Sequence, residues 1–167
     1  MPKSDQGINQ NRYQVIPRTL IFLFDKHHRV LLLKGSPTKK LWAGLMNGIG
    51  GHIEAGEDIF EAAQRELCEE TGIVGLTLQF SAQIMVDVAD TVGVALFIFR
   101  GEFNDETILS PEEGALTWVD LDQLSAYPVV EDLLEIIPRL AAHSPASSPL
   151  IGKSKYGPDG ELRVSLR

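Results

Sequence analysis

The stretch that decides the fold is residues 48–73, GIGGHIEAGEDIFEAAQRELCEETGI. Its first part is too rich in glycine for a helix, whereas the part from Asp58 to Thr71 has a helical pattern. Asp58 and Glu61 have the spacing of a capping box, and Gly72 suits a left-handed helix C-terminus. The stretch therefore predicts a glycine-rich loop that leads directly into a helix.

Three carboxylates gather near the end of this helix. At about 100° per residue, Glu66 and Glu70 lie within roughly 40° of each other, and Glu69 lies about 60° further round. Like charges at this spacing repel, and acids near a helix C-terminus oppose the helix dipole. One interpretation is a solvated acidic patch. The other is a site for a hard divalent cation, because Mg²⁺ binds carboxylate oxygens together with water and phosphate.

The glycines before the helix favour the second interpretation. Gly48, Gly50 and Gly51 allow the backbone to approach a ligand closely and to adopt positive φ. A loop that leads into a helix can present N–H groups to phosphate and carbonyl groups to a metal ion. By itself such a loop is weak evidence, because turn geometry explains most glycine-rich loops.

The whole stretch resembles the signature of the Nudix hydrolases, G-x5-E-x7-R-E-U-x-E-E-x-G-U, where U is aliphatic. Every defined position matches: Gly51, Glu57, Arg65, Glu66, Leu67, Glu69, Glu70, Gly72 and Ile73. A chance match is on the order of one in a billion per starting position. The resemblance implies an α/β fold of the Nudix type, an α/β/α sandwich with a mixed central sheet and a loop–helix–loop catalytic motif.

The resemblance also implies roles for these residues. A metal ion, Mg²⁺ or Mn²⁺ in its place, is expected to be held by the carbonyl group of Gly50 and the carboxylates of Glu66, Glu69 and Glu70. Glu57 and Arg65 are expected to form a structural ion pair that fixes the loop on the helix. On the helical wheel Arg65 lies away from the acidic edge, which agrees with a supporting role.

Hydrolysis of a diphosphate bond needs a group that takes a proton from water. Glu66 is the first candidate for this base. Glu113, in the loop at residues 110–114, is the second candidate and a further metal ligand, because related enzymes often supply an acid from this loop. The alternative for Glu113 is an exposed loop acid. The expected catalytic set is therefore Glu66, Glu69, Glu70 and Glu113.

Substrate specificity depends on residues outside the signature. Residues 41–51 resemble family members that hydrolyse oxidised purine nucleoside triphosphates, in which an asparagine at the position of Asn47 hydrogen-bonds the base. The Asn-Gly pair also favours a turn, which is the structural alternative. Asp132 lies near the point where those relatives carry acids that read the purine edge, although the spacing differs. Its alternative is an acid on a helix surface.

Three further side chains are candidates for substrate binding. Trp42 stacks on a base or packs in the core, Lys39 grips phosphate or lies in solvent, and Arg18 reaches the pocket from the first strand. The predicted reaction converts a nucleoside triphosphate, with 8-oxo-dGTP as the leading example, to a monophosphate and pyrophosphate. The alternatives are hydrolysis of ADP-ribose or a dinucleoside polyphosphate, or a non-catalytic module that senses a nucleotide.

Composition limits the class of partner. The 167 residues fit one domain with a core, and the formal net charge of -8 would repel the phosphates of DNA or RNA. No apolar run is long enough to span a bilayer, and no apolar signal region follows the N-terminus. We therefore expect a cytoplasmic protein that binds a small nucleotide and neither a nucleic acid polymer nor a membrane.

The chain is expected to comprise a flexible arm at 1–12, the Nudix hydrolase domain at 13–142, and an extension at 143–167 with a linker and a β-hairpin. This hairpin either covers the core or pairs across a two-fold axis in a homodimer. The periodicity predicts strands at 19–24, 29–34, 73–88, 92–103 and 115–119, and helices at 58–71, 121–125 and 129–140. Pro128 would stand at the tolerated first position of the last helix.

Overall fold

The computed structural model describes residues 12–35, 44–105, 114–157, 160 and 162–167. The strands are β1 (Gln14–Phe24), β2 (Arg29–Gly35), β3 (Met46–Asn47), β4 (Gln79–Asp87), β5 (Val92–Glu102), β6 (Gly114–Asp120), β7 (Leu150–Tyr156) and β8 (Leu162–Leu166). They form one sheet in the order β3-β2-β1-β5-β4-β7-β8, with β6 beside β2. Two pairings, β1–β5 and β4–β7, are parallel and the others are antiparallel, so the predicted mixed sheet is confirmed.

Helices cover both faces of this sheet, because β1 carries apolar residues on both of its sides. Leu20 and Phe22 pack in a core with helix α2 (Leu133–Ala142) and the 3-10 helix Leu121–Ala126. Ile21 and Leu23 alternate with them and pack in a second core with helix α1 (Ile59–Thr71). This α/β/α arrangement confirms the predicted fold class. None of the described helices is long and apolar enough to cross a membrane.

Two strand predictions were wrong in extent. The first strand begins at Gln14 instead of residue 19, because its exposed first half pairs in parallel with β5. The strand predicted at 73–88 is shorter, and β4 begins only at Gln79. Gly72 and Gly75 both have positive φ, 74° and 71°, which interrupts extended backbone after α1.

The start of the last predicted helix was also wrong. Helix α2 begins at Leu133, and the residues before it pair with β3 instead. The N–H of Met46 donates to Pro128 O at 2.7 Å, and the N–H of Val130 donates to Met46 O at 3.0 Å. Pro128 therefore lies in an extended segment and not at a helix start. This pairing brings the start of α2 beside β3.

The residues predicted as a linker at 143–149 are tied to the domain. Arg100 on β5 donates to the carbonyl groups of Leu140 and His143 at 3.2 and 2.8 Å, and His143 Nε2 lies 2.9 Å from Ser148 O. Beyond them, β7 and β8 form an antiparallel hairpin, and β7 extends the main sheet by pairing with β4. Val164 and Leu166 pack against the core on the α2 side.

Candidate active site at the glycine loop and helix α1

The glycine loop runs antiparallel to the first half of β1. Ile21 and Ile49 exchange backbone hydrogen bonds of 2.7 and 3.1 Å, and the N–H of Thr19 donates to Gly51 O at 2.9 Å. Gly50 has φ 144°, and a Cβ added there would stand 2.3 Å from Thr19 O. Only glycine fits a backbone held this close to a neighbouring strand.

Both ends of helix α1 are fixed by local hydrogen bonds. Asp58 accepts from the N–H groups of Phe60 and Glu61, and the carboxylate of Glu61 accepts from the N–H of Asp58 at 2.8 Å. Gly72 adopts the left-handed conformation, and its N–H donates to Cys68 O. The predicted capping box and C-cap are thus confirmed. They fix where the helix begins and ends, whereas Ala63 and Leu67, which pack in the core with β1, set its rotation against the loop.

The helix packs so that two acids meet the loop. A Cβ added at Gly51 would stand 2.5 Å from Glu66 Oε1, so this carboxylate lies directly against the glycine backbone. Glu70 Oε2 accepts a hydrogen bond from the N–H of Gly50 at 2.9 Å. Glu69 is more exposed, with 59% of its side chain accessible against 13% for Glu66. The structure therefore brings Glu66 and Glu70 to adjacent glycines, with Glu69 at the outer edge.

Arg65 joins these acids to the loop. Its Nε and Nη2 donate to the two oxygens of Glu57 at 2.6 and 3.0 Å, which is the ion pair expected from the signature. Its Nη1 donates to Glu66 and Glu69 at 2.9 and 3.1 Å, so the expectation that it stays away from the acidic edge was wrong. A helical wheel places the Cα atom, whereas the guanidinium lies at the end of a long stem.

The electrostatics follow this geometry. Hydrogen bonds from Arg65 and from the N–H of Glu54 lower the pKa of Glu57 to about 2. Hydrogen bonds to Glu57 and Glu66 in turn raise the pKa of Arg65 above its ordinary value. Both groups therefore stay charged at any physiological pH. The loop is thus held on the helix by a permanent ion pair.

The oxygen atoms available here are of the kind that a hard cation binds. Glu66 and Glu70 supply carboxylate oxygens beside Gly50 and Gly51, where there is no room for a Cβ atom, and Mg²⁺ prefers such oxygens. Among the residues that the structure describes, no three His, Cys, Asp or Glu side chains are grouped so that they could hold a metal ion as they stand. Nη1 of Arg65 lies between two of the acids.

The residues predicted to bind substrate lie on neighbouring elements. Arg18 is on β1 beside Leu96, and its Nε is buried without a hydrogen-bond partner among the described residues. Asp132 precedes α2, and its Oδ1 is likewise buried without a partner in the part of the chain that the structure describes. Burial raises the pKa of Asp132. Asn47 lies on β3, where it pairs with Leu33, and its Oδ1 accepts from the N–H of Gly48 at 2.8 Å.

No hydrogen bond joins Arg18, Asp132 and Asn47 to one another within the described part of the chain. Trp42, Lys39 and Glu113 lie outside the described residues. Thr19 was not among the predicted site residues, but its hydroxyl is buried next to the glycine loop without a partner among the described residues. The sequence contains one sign of this, because Thr19 is a polar residue at the start of an otherwise apolar run.

A cleft of about 470 Å³ lies at the other end of β1, among the ends of β1, β5 and α2. It contains the pair of Asp25 and Arg29, with oxygen and nitrogen 2.7 Å apart. Burial raises the pKa of Asp25, but hydrogen bonds from Arg29 and the backbone outweigh it and hold the pKa below its ordinary value. None of the predicted site residues that the structure describes lines this cleft. The glycine loop and α1 remain the candidate active site.

A family model described as NUDIX domain matches residues 15–140. The chain belongs to the NUDIX domain family. It is 34% identical over 97 residues to the oxidized purine nucleoside triphosphate hydrolase of Danio rerio, an alignment that covers 58% of this chain and 61% of that protein. The chain therefore spans less than two thirds of the length of this relative.

Solved structures of Nudix proteins have the same architecture. The MutT protein from Bacillus halodurans is 29% identical, with a TM-score of 0.70 over 91% of this chain and 97% of that chain. The NUDIX domain of Shewanella oneidensis NrtR, solved with ADP ribose, is 16% identical, with a TM-score of 0.69 over 84% and 97% of the two chains. The second likeness concerns the fold alone.

Proposed function

We propose that this Nudix protein hydrolyses a diphosphate bond in a nucleoside triphosphate and releases a monophosphate and pyrophosphate. The proposed substrate carries an oxidised purine, with 8-oxo-dGTP as the leading example. The observation that carries the proposal is the contact of Glu66 and Glu70 with the backbone of Gly50 and Gly51, because it combines acids and close-approach glycines in one place.

A divalent cation, Mg²⁺ or Mn²⁺ in its place, is the proposed cofactor, as in Nudix hydrolases generally. Glu66, Glu69 and Glu70 are its proposed ligands, together with the carbonyl group of Gly50. When bound, such an ion lowers the pKa of water and neutralises charge on the leaving diphosphate. Glu113 is a further proposed ligand.

The protein's own groups would handle the proton and the orientation. Glu66 is the proposed acceptor of the proton from the attacking water, and Glu113 is the second candidate. Glu66 is well suited, because its side chain is only 13% exposed and its carboxylate lies against the Gly51 backbone. The water oxygen then bonds to phosphorus while the bond from phosphorus to the leaving oxygen breaks.

The base is proposed to bind on the α2 side of the sheet, near the unpartnered polar atoms of Arg18 and Asp132. Buried polar atoms without partners are costly, and a ligand that bonds to them removes the cost. An apolar row of Ile16, Val94 and Val86 crosses three neighbouring strands beside Arg18 and offers a flat surface to a ring. Asn47, Trp42 and Lys39 are proposed as further contacts to the base and phosphates.

Substrate hydrolysis with Mg²⁺ tests this proposal. We expect 8-oxo-dGTP to give a monophosphate and pyrophosphate with a higher kcat/KM than dGTP, ADP-ribose or a dinucleoside tetraphosphate. Preference for ADP-ribose would reject the proposed substrate class but retain the hydrolase. No hydrolysis of any of them, with tight nucleotide binding, would favour the sensing module.

Glu69→Gln and Glu70→Gln should each lower turnover by orders of magnitude while the fold is retained. The matched control is Glu135→Gln, which removes an exposed carboxylate from α2. This control should retain full turnover. Activity of the α1 variants at the level of the control would reject the assignment of the metal ligands.

A further inference from the structure

The guanidinium of Arg65 divides its hydrogen bonds between two groups of partners. One edge faces the loop, where Glu57 accepts from Nε and Nη2, and His52 O accepts from Nη2 at 3.0 Å. The other edge faces the acids, where Nη1 donates to Glu66 Oε1 at 2.9 Å and to Glu69 Oε2 at 3.1 Å. The planar fork of donors allows one side chain to hold both groups at once.

The two edges differ in how firmly they are held. Glu57 receives two bonds, and its side chain is only 20% exposed. Glu66 and Glu69 receive only one bond each from Arg65, and Glu69 is 59% exposed, so water competes for its contact, whereas three bonds hold the loop edge. Nη1 can therefore leave the acids while the loop edge keeps its bonds.

We propose that Nη1 of Arg65 is the internal counter-ion of the acids, and that a divalent cation displaces it from Glu66 and Glu69 while the bonds to Glu57 persist. This inference rests on the proposed function, because it takes the acids as metal ligands. It explains how neighbouring carboxylates on α1 coexist before a metal ion binds. It also makes Arg65 a positioning residue that weakens metal affinity and confines the loop.

Mn²⁺ affinity of the full chain without nucleotide, measured by electron paramagnetic resonance, tests the competition. Arg65→Gln alone would both remove the counter-ion and release the loop, so the comparison is made in a Glu57→Gln background, where the ion pair with the loop is already lost. We expect Glu57→Gln with Arg65→Gln to bind Mn²⁺ roughly threefold to tenfold more tightly than Glu57→Gln alone. Equal or weaker binding overturns the proposal, because loss of a merely structural arginine does not improve metal affinity.

The matched control is Arg139→Gln, which removes a positive charge from α2, where Arg139 pairs with Glu135. Its Mn²⁺ affinity should equal that of the wild type. If Arg139→Gln tightens Mn²⁺ binding as much as Arg65→Gln does, the tighter binding comes from the change in net charge and not from the loss of a displaced arginine, and the proposal fails.

A crystal of the wild-type chain soaked in Mn²⁺ gives the second readout. We expect Nη1 to lie more than about 3.5 Å from both Glu66 and Glu69, with the bonds to Glu57 intact. If Mn²⁺ binds among the acids but Nη1 keeps its two bonds, this inference fails and the proposed function stands. If no variant and no crystal binds Mn²⁺ at the acids, both fail.

Discussion

The two α-helices in the described part of the chain, α1 and α2, differ at both of their ends. Helix α1 begins at a capping box and ends at a left-handed glycine, and all of these bonds join residues within four positions of one another. Helix α2 begins at Asp132 with no side-chain cap, contains Pro138, and has its last carbonyl groups capped by Arg100 from β5. The helix that carries the proposed chemistry is fixed locally, whereas the other is fixed by tertiary contacts.

This difference has a functional consequence. The acids on α1 work only at a defined rotation against the glycine loop. Local caps fix the ends of the helix, and the buried Ala63 and Leu67 hold it at that rotation. The start of α2 lies beside the proposed base pocket, where Asp132 Oδ1 has no hydrogen-bond partner among the residues that the structure describes. Because the carboxylate of Asp132 does not cap α2, it can bind a ligand instead. The following changes should break or sharpen the comparison.

The largest effect is expected at the loop that faces α1. Gly50→Ala would place a Cβ 2.3 Å from Thr19 O at φ 144°, so we expect a loss of more than about 3 kcal/mol of unfolding free energy or failure to fold. Gly75→Ala is the matched control, because Gly75 also has positive φ but a Cβ there meets nothing within 4 Å. That change should cost about 1–2 kcal/mol. Urea denaturation compares the two, and equal losses would contradict the close packing of the loop.

Shortening one buried side chain on each helix separates the effect on unfolding free energy from the effect on kcat. Leu67 on α1 and Ile136 on α2 are both fully buried, so each change to alanine should cost roughly 2–5 kcal/mol. We expect Leu67→Ala also to lower kcat, because Leu67 adjoins Glu66 and sets its place against the loop. Ile136→Ala should keep the kcat of the wild type per folded molecule. A similar loss of kcat in both variants would remove the distinction between the helices.

Cap removal tests the comparison directly. Asp58→Ala should cost roughly 0.5–2 kcal/mol, because two N–H groups lose their acceptor. Asp132→Ala should cost nothing or stabilise the fold, since it removes a carboxylate whose buried oxygen has no partner. Thermal unfolding measures both. Equal destabilisation by the two changes would mean that α2 depends on an N-cap after all.

The smallest effect is expected in the pH dependence of stability. Burial raises the pKa of Asp132 above 3.8, so the folded state binds a proton that the unfolded state releases. The stabilisation by this proton is complete below pH 3.8 and is lost as the pH rises through the folded pKa. The unfolding free energy of the wild type should therefore fall relative to Asp132→Asn over that range. A difference that is constant with pH would contradict a raised pKa.

The sequence predicted what depends on neighbouring residues. The caps of α1, the strand at 19–24 and the pair of Glu57 and Arg65 all follow from local pattern or from the signature. It could not predict what depends on distant partners. The pairing of Met46 with Val129 shortened α2, and the parallel pairing of β7 with β4 joined the tail to the sheet.

In the candidate site, too, the sequence predicted features that depend on neighbouring residues and did not predict those that depend on distant ones. The acids of α1 could be placed on one edge from the helical period, but the reach of the Arg65 side chain to them could not. The missing partners of Arg18, Thr19 and Asp132 depend on burial in three dimensions, which no local pattern encodes.

A crystal of the chain with Mg²⁺ and a non-hydrolysable analogue of 8-oxo-dGTP tests the central claim most directly. We predict metal ions at roughly 2.0–2.1 Å from oxygens of Glu66, Glu69 or Glu70 and from the bridging phosphates. An analogue bound in the protein with its phosphates away from α1, and no metal ion touching these acids, would contradict the account.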